Sequence, residues 1–177
     1  MDRKVYASGE EFCLAEYLPC DYEADYQDWM DEETQRGYNM TMEMPYEQFQ
    51  NRRIPQRLYA SIIRKNAPET AIGVVMISPP NAVPDLAIRV FAPYRGQGIG
   101  TQAFLMATEY AVQTYPIQEL HAGCYEGNVK SARMIEHCGY IRLPEKDQQE
   151  AHYLTGKPIT QYEYVFLAKR RGKQGAC

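Results

Sequence analysis

The chain has 177 residues, 45% hydrophobic and 24% charged, which sizes it for one globular domain and is too apolar for a disordered one. A formal net charge of −4 excludes a global cationic field able to hold nucleic acid or an anionic membrane without specificity. No run approaches the ~20 apolar residues that span a bilayer, and the start, Met-Asp-Arg-Lys-Val-Tyr, lacks the apolar core of a signal peptide, so a cytoplasmic protein is expected. Five cysteines (Cys13, Cys20, Cys124, Cys138, Cys177) without a C-x-x-C spacing read as reduced thiols, and His121, His137 and His152 form no i, i+4 pair; no metal is expected.

In chain order, Phe12 to Leu18 alternates as a strand and ends at Pro19, after which Asp21 is placed to cap a polar helix reaching about Met30. Asp31 to Pro45 shows no period and reads as a loop whose methionines form an apolar lip. Tyr46 to Arg53 reads as a short helix closed before Pro55. Arg57 to Arg64 and Ala71 to Ser78 are strands about a turn at Asn66-Ala67-Pro68-Glu69, and Asp85 to Phe91 is a third. From Ile99 the apolar period becomes helical and runs to Pro116. Glu119 to Tyr125 is a strand, Asn128 to Cys138 a helix with Asn128 as N-cap and Gly139 beyond its end, and Gln161 to Lys169 a last alternating strand. This order implies an α/β (α+β) domain spanning residues 1–177, a mixed sheet with helices on both faces.

One segment carries a physical mechanism. Arg95-Gly96-Gln97-Gly98-Ile99-Gly100-Thr101 lies between a strand and a helix, where absent side chains let backbone amides approach a ligand and the helix start offers unpaired N–H groups to a pyrophosphate. It is neither a P-loop, since no Lys-Ser/Thr follows the glycines, nor the dinucleotide fingerprint, since G-x-G-x-x-G fails at Thr101.

The R-x-x-G-x-G pattern at Arg95, Gly98 and Gly100, preceded by Pro93-Tyr94, resembles the acetyl-CoA signature of the GNAT superfamily of N-acetyltransferases. About thirty residues on, Asn128-x-x-Ser131 followed by Glu136-His137-Cys138-Gly139-Tyr140 is similar to the family's second signature. Leu14 to Pro19 with the acids after it resembles the Rim-type branch (ribosomal-protein N-terminal acetyltransferase-like), so the resemblance covers about residues 12 to 168. It implies a mostly antiparallel mixed sheet splayed between its fourth and fifth strands, here Asp85 to Phe91 and Glu119 to Tyr125. It further implies that Ile88, Arg89 and Val90 offer backbone groups to the pantetheine arm of acetyl-CoA. Arg95, Gly96, Gln97, Gly98, Ile99, Gly100 and Thr101 would hold the pyrophosphate, and Asn128 and Ser131 would sit near the thioester. Lys130 and Arg133 are either outer-phosphate contacts or solvated helix residues.

Acetyl transfer to a primary amine, by direct attack through a tetrahedral intermediate, needs a base, an oxyanion donor and a proton for the thiolate. Many relatives carry a glutamate five residues before the motif asparagine and a tyrosine seven after it; here these are Gly123 and Ile135. The resemblance makes Asp85 the next candidate base, and Tyr125, Glu126, Ser131 and Tyr140 candidates for relaying the proton. The absent pair also fits an acyl-CoA-binding sensor or scaffold of the same fold. Residues 1–50 carry thirteen acids against three bases, a net of −10, and the rest a net of +6. That split fits a solvated acidic helix face and a basic tail over 169–177, or else a cationic amine acceptor beside the first segment, whether a small molecule or a peptide N-terminus. Neither nucleic acid nor membrane is expected as a partner, and nothing selects between monomer and homodimer.

Overall fold

The computed structural model describes residues 3–168; the basic tail over 169–177 lies outside them. Nine strands and five helices follow one another as β1 (Val5–Ser8), β2 (Phe12–Glu16), α1 (Tyr22–Trp29), α2 (Glu32–Tyr38), α3 (Tyr46–Gln50), β3 (Leu58–Arg64), β4 (Ala67–Ile77), β5 (Leu86–Val90), α4 (Ile99–Thr114), β6 (Glu119–Tyr125), α5 (Val129–His137), β7 (Ile141–Arg142), β8 (Gln148–Ala151) and β9 (Pro158–Leu167). The strands form two antiparallel sheets, β1-β2-β3-β4-β5 and β6-β9-β7 with β8 on β9. A single parallel bridge between Asp85 and His121 joins them, backed by the His121 N–H donating to the Pro84 carbonyl at 2.8 Å. Beyond that bridge β5 and β6 part. The expected splay is therefore present, between β5 and β6 rather than the fourth and fifth strands, because β1 adds a strand at the front.

The alternation of β5 assigns the two faces. Leu86 joins the main core with Ile99, Ala103, Phe104, Ala107 and Ala111 of α4, whose alanines let helix and sheet approach closely, and Ile88 and Val90 pack against that core. Arg89 points the opposite way, into α1. Helices thus cover both faces. At Gly73 on β4 a Cβ would clash with the Arg89 carbonyl oxygen, so only glycine lets β4 and β5 pair there.

Several local expectations change. Asp21 does not cap α1: its carboxylate accepts from the Leu18 N–H (2.9 Å), the Ser61 hydroxyl (2.6 Å) and Arg3 (2.5 Å). The segment read as a loop contains α2, capped by Asp31 accepting from the Thr34 N–H at 3.0 Å and ended by Asn39 at φ +51°. Its anchors are the distant Arg95 and Lys130 and no apolar stripe, which explains its silence in the pattern. The β3–β4 turn is at Lys65–Asn66, and Pro68 stands near the start of β4, where no ladder donor is needed. The last strand begins at Pro158 and pairs with β7 and β8, which the hydropathy pattern did not mark.

Candidate active site

The parted strands leave a cavity of about 650 Å³. It is lined by Asp85, Ile88, Arg89 and Val90 of the β5 segment, by Arg95, Gly96, Gly98, Ile99, Gly100 and Thr101, and by Asn128 and Ser131 across the gap. The structure brings these expected residues to one cleft. Gln97 is the exception: it is exposed, its side chain accepts from Arg64 at 2.9 Å and it does not line the cavity.

Register decides which β5 backbone groups face the cleft. Phe91 pairs with Ile72 and Asp85 with Ser78 through hydrogen bonds of 3.0 and 2.9 Å, and alternation gives Ala87 and Arg89 the same orientation toward β4. The N–H groups of Ile88 and Val90 therefore turn to the cleft. Arg89 was expected to offer its backbone as well. Its backbone faces β4, and its guanidinium lies on the α1 face between Asp25 and Asp28, 4.0 Å over the Trp29 ring.

The glycine turn is bare. Gly96 and Gly98 both have φ +75°, and a Cβ at either position meets nothing within 4 Å. Gly98 is the N-cap of α4, so the N–H groups of the first helical turn, from Ile99 to Thr101, have no acceptor within the helix. Opposite, the Asn128 side chain caps α5 by accepting from the Ser131 N–H at 3.2 Å. Arg95 has another task than meeting an anion. Its guanidinium donates to Asp31 (2.6 Å), Asp28 (3.0 Å), the Thr34 hydroxyl (2.7 Å) and the Val90 carbonyl (3.0 Å), tying α1 and α2 to the turn.

Burial pushes the Asp85 carboxyl up to about 6, the negative charge of Glu163 adding to the rise and His121 opposing it. Behind it the His121 Nδ1 lies 2.6 Å from Glu163. Tyr38, at the end of α2, has no signal in the sequence, because its segment lacks a helical apolar period. Its hydroxyl donates to the cleft-facing Ile88 carbonyl at 3.1 Å, and burial raises its pKa well above the ordinary phenol value, so it stays protonated. Its ring packs edge-on against Trp29.

Of the thirteen acids in the first segment, five are bonded to cations inside the fold: Asp21, Asp25, Asp28, Asp31 and Glu33 meet Arg3, Arg52, Arg89, Arg95 and Lys130. These five are committed to structural pairs and add little free negative charge at the cleft.

The family model described as an acetyltransferase (GNAT) domain matches residues 12–141. Among solved structures, an acetyltransferase of the GNAT family from Bacillus anthracis superposes with a TM-score of 0.74 at 17% identity, covering 92% of this chain and 98% of that one. Spermidine N-acetyltransferase from Vibrio cholerae, crystallised with CoA and spermine, gives 0.76 at 14% identity over 90% and 97%. The acetyltransferase from Salmonella typhimurium that modifies the N-terminal serine of ribosomal protein L7/L12 gives 0.70 at 15% identity over 91% and 97%. No curated protein matches the chain in sequence.

Proposed function

Because the chain belongs to the GNAT acetyltransferase family, we propose that it is an acetyl-CoA-dependent N-acetyltransferase acting on a primary amine, borne by a small molecule or by a peptide N-terminus. The observation that carries this reading is the convergence of the bare glycine turn, the cleft-facing amides of β5 and a carboxyl poised near neutrality in one cavity.

The cleft fits the co-substrate. The amides from Gly96 to Thr101 would hold its pyrophosphate, and those of Ile88 and Val90 its pantetheine arm and thioester oxygen. Acetyl-CoA supplies the acetyl group as a thioester. Asp85 is the base: at neutral pH a carboxyl near 6 is mostly ionised yet more basic than an ordinary aspartate. Three residues of strand, roughly 10 Å, separate it from Ile88, so the proton passes through water. Tyr38 donates to the Ile88 carbonyl and keeps its lone pairs to orient the incoming amine. Ser131, whose residue lines the same cavity, is the candidate donor to the departing thiolate. Four unpaired thiols, Cys13, Cys20, Cys124 and Cys138, agree with a reducing cytoplasmic setting.

Calorimetry with acetyl-CoA, then thiol release over a panel of amines, tests the proposal. The protein is expected to bind and turn over, and Gly98→Ala to lose binding at a cost in melting temperature of a few degrees, because a side chain at φ +75° projects into the cradle and strains the turn without unfolding the chain. Absence of binding overturns it. Binding without thiol release for any amine assigns the fold to the sensor or scaffold reading.

A further inference from the structure

A second cavity, of about 710 Å³, opens beside the first. Glu33, Gly37, Tyr125, Asn128 and Lys130 line both, so the two adjoin. The second is walled by α2, the start of α5 and the segment joining β8 to β9, and none of the glycine turn reaches it. An acceptor entering here meets the cleft on the side away from the pyrophosphate cradle.

Its charged groups are unequally committed. Glu33 is held by Lys130 at 3.3 Å and by Arg95 at 3.4 Å, and Lys130's hydrogen bond leads the effects that keep its carboxyl below the usual range. Glu126 accepts from the Thr160 N–H at 3.2 Å. Arg36 and Lys157, by contrast, make no salt bridge with any described residue; Arg36 adds only a through-space attraction to the already bonded Glu33. His152 accepts from the N–H groups of Leu154 (3.2 Å) and Thr155 (3.4 Å) through Nδ1, which leaves its ring proton on Nε2 to donate. Two unpaired cations and a donor thus line one cavity in which Glu33 is paired with Lys130 and Arg95, and Glu126, bonded to one backbone N–H, is the remaining acid.

Resting on the acetyltransferase reading, we infer that this second cavity seats an anionic group of the acceptor, so that the preferred substrate is an amine carrying carboxylate or phosphate charge close to the amine. The fork of Arg36 suits either group, Lys157 adds a point charge, and Tyr125 marks the passage to the cleft. Polycationic amines are disfavoured at this mouth.

The test compares two peptide acceptors matched except in charge, and two small amines of opposite charge. Thiol release from acetyl-CoA is measured with Ser-Glu-Glu-Phe-amide, Ser-Lys-Lys-Phe-amide, spermidine and free phosphoserine, at low and high salt, for the wild-type chain and for Arg36→Glu/Lys157→Glu. The neutral double variant Arg36→Gln/Lys157→Gln guards against misfolding. We expect kcat/KM for the anionic amines to exceed that of the cationic ones by about tenfold or more at low salt, to converge at high salt, and to invert in the charge-reversed variant. Phosphoserine above the acidic peptide identifies a free metabolite, and the reverse order a polypeptide; both support the inference. Equal or greater rates with the cationic amines overturn it, as does a ratio that survives the double variants. Calorimetry of the CoA-loaded protein with the same four amines separates this from the activity itself. Anionic binding lost in Arg36→Glu/Lys157→Glu without any turnover keeps the subsite and rejects the enzyme, whereas no binding and no turnover rejects the subsite.

Discussion

Asp25 and Asp28 of α1 are almost wholly buried, yet arginines meet both: Arg89 and Arg52 bond Asp25, and Arg89 and Arg95 bond Asp28. Asp85, a few residues before Arg89 in sequence, is part-buried with no cation bonded to its carboxylate among the described residues, and Glu163 nearby repels its charge. One pair of carboxylates is bonded to arginines and structural; the other carboxyl has a raised proton affinity and no bonded cation, so it can exchange a proton. The difference teaches that acidity counted along a sequence is not a field at a surface, because partners decide which charges remain available.

Removing the partner should break the first set most severely. Arg89→Met takes from two buried carboxylates the one cation they share, leaving Asp25 with Arg52 and Asp28 with Arg95, and chemical denaturation should report a loss of about 3–5 kcal/mol. The converse change at the cleft, Asp85→Asn, should lower kcat by about 100-fold or more and yet not weaken the fold. Its sign follows from linkage. The folded-state value of about 6 lies above the ordinary aspartate value of 3.8, so the associated stability is present at acid pH and is lost as pH rises through that window. The variant should lose this slope and, in melts at neutral pH, gain up to about 3 kcal/mol. A wild-type rate that climbs through pH 6, absent in Asp85→Asn, would sharpen the contrast.

Tyr38→Phe removes one hydrogen bond beside the cleft-facing Ile88 carbonyl, worth about 1–1.5 kcal/mol, and should cost roughly tenfold in kcat/KM with CoA affinity unchanged in calorimetry. Glu33→Gln loosens only exposed pairs to Lys130 and Arg95 and should shift stability by less than about 1 kcal/mol in thermal melts. A larger loss there would erase the distinction between buried and exposed pairing.

How legible these regions were follows from the range of their interactions. Glu119–Tyr125 coincides with its strand, and Asn128 with its cap, because alternation and capping are local. The glycine turn could be read because a conformation at φ +75° leaves its mark in residue type. α2 could not, since Asp31, Glu33 and Thr34 are anchored by Arg95, some sixty residues away. Tyr38, Arg36 and Lys157 carry no local signature at all; each gains a role from what the chain brings beside it.

By itself, then, the sequence determined the order of elements around the cleft, the bare turn and the family, because periodicity, glycine and caps act over a few residues. Tertiary structure alone decided that β5 and β6 touch at Asp85 and His121 and then part, that Arg89 and Arg95 hold acids instead of offering themselves to a ligand, and that Asp85 keeps a raised proton affinity. Burial and charge pairing are properties of neighbours in space, and those neighbours come from distant parts of the chain.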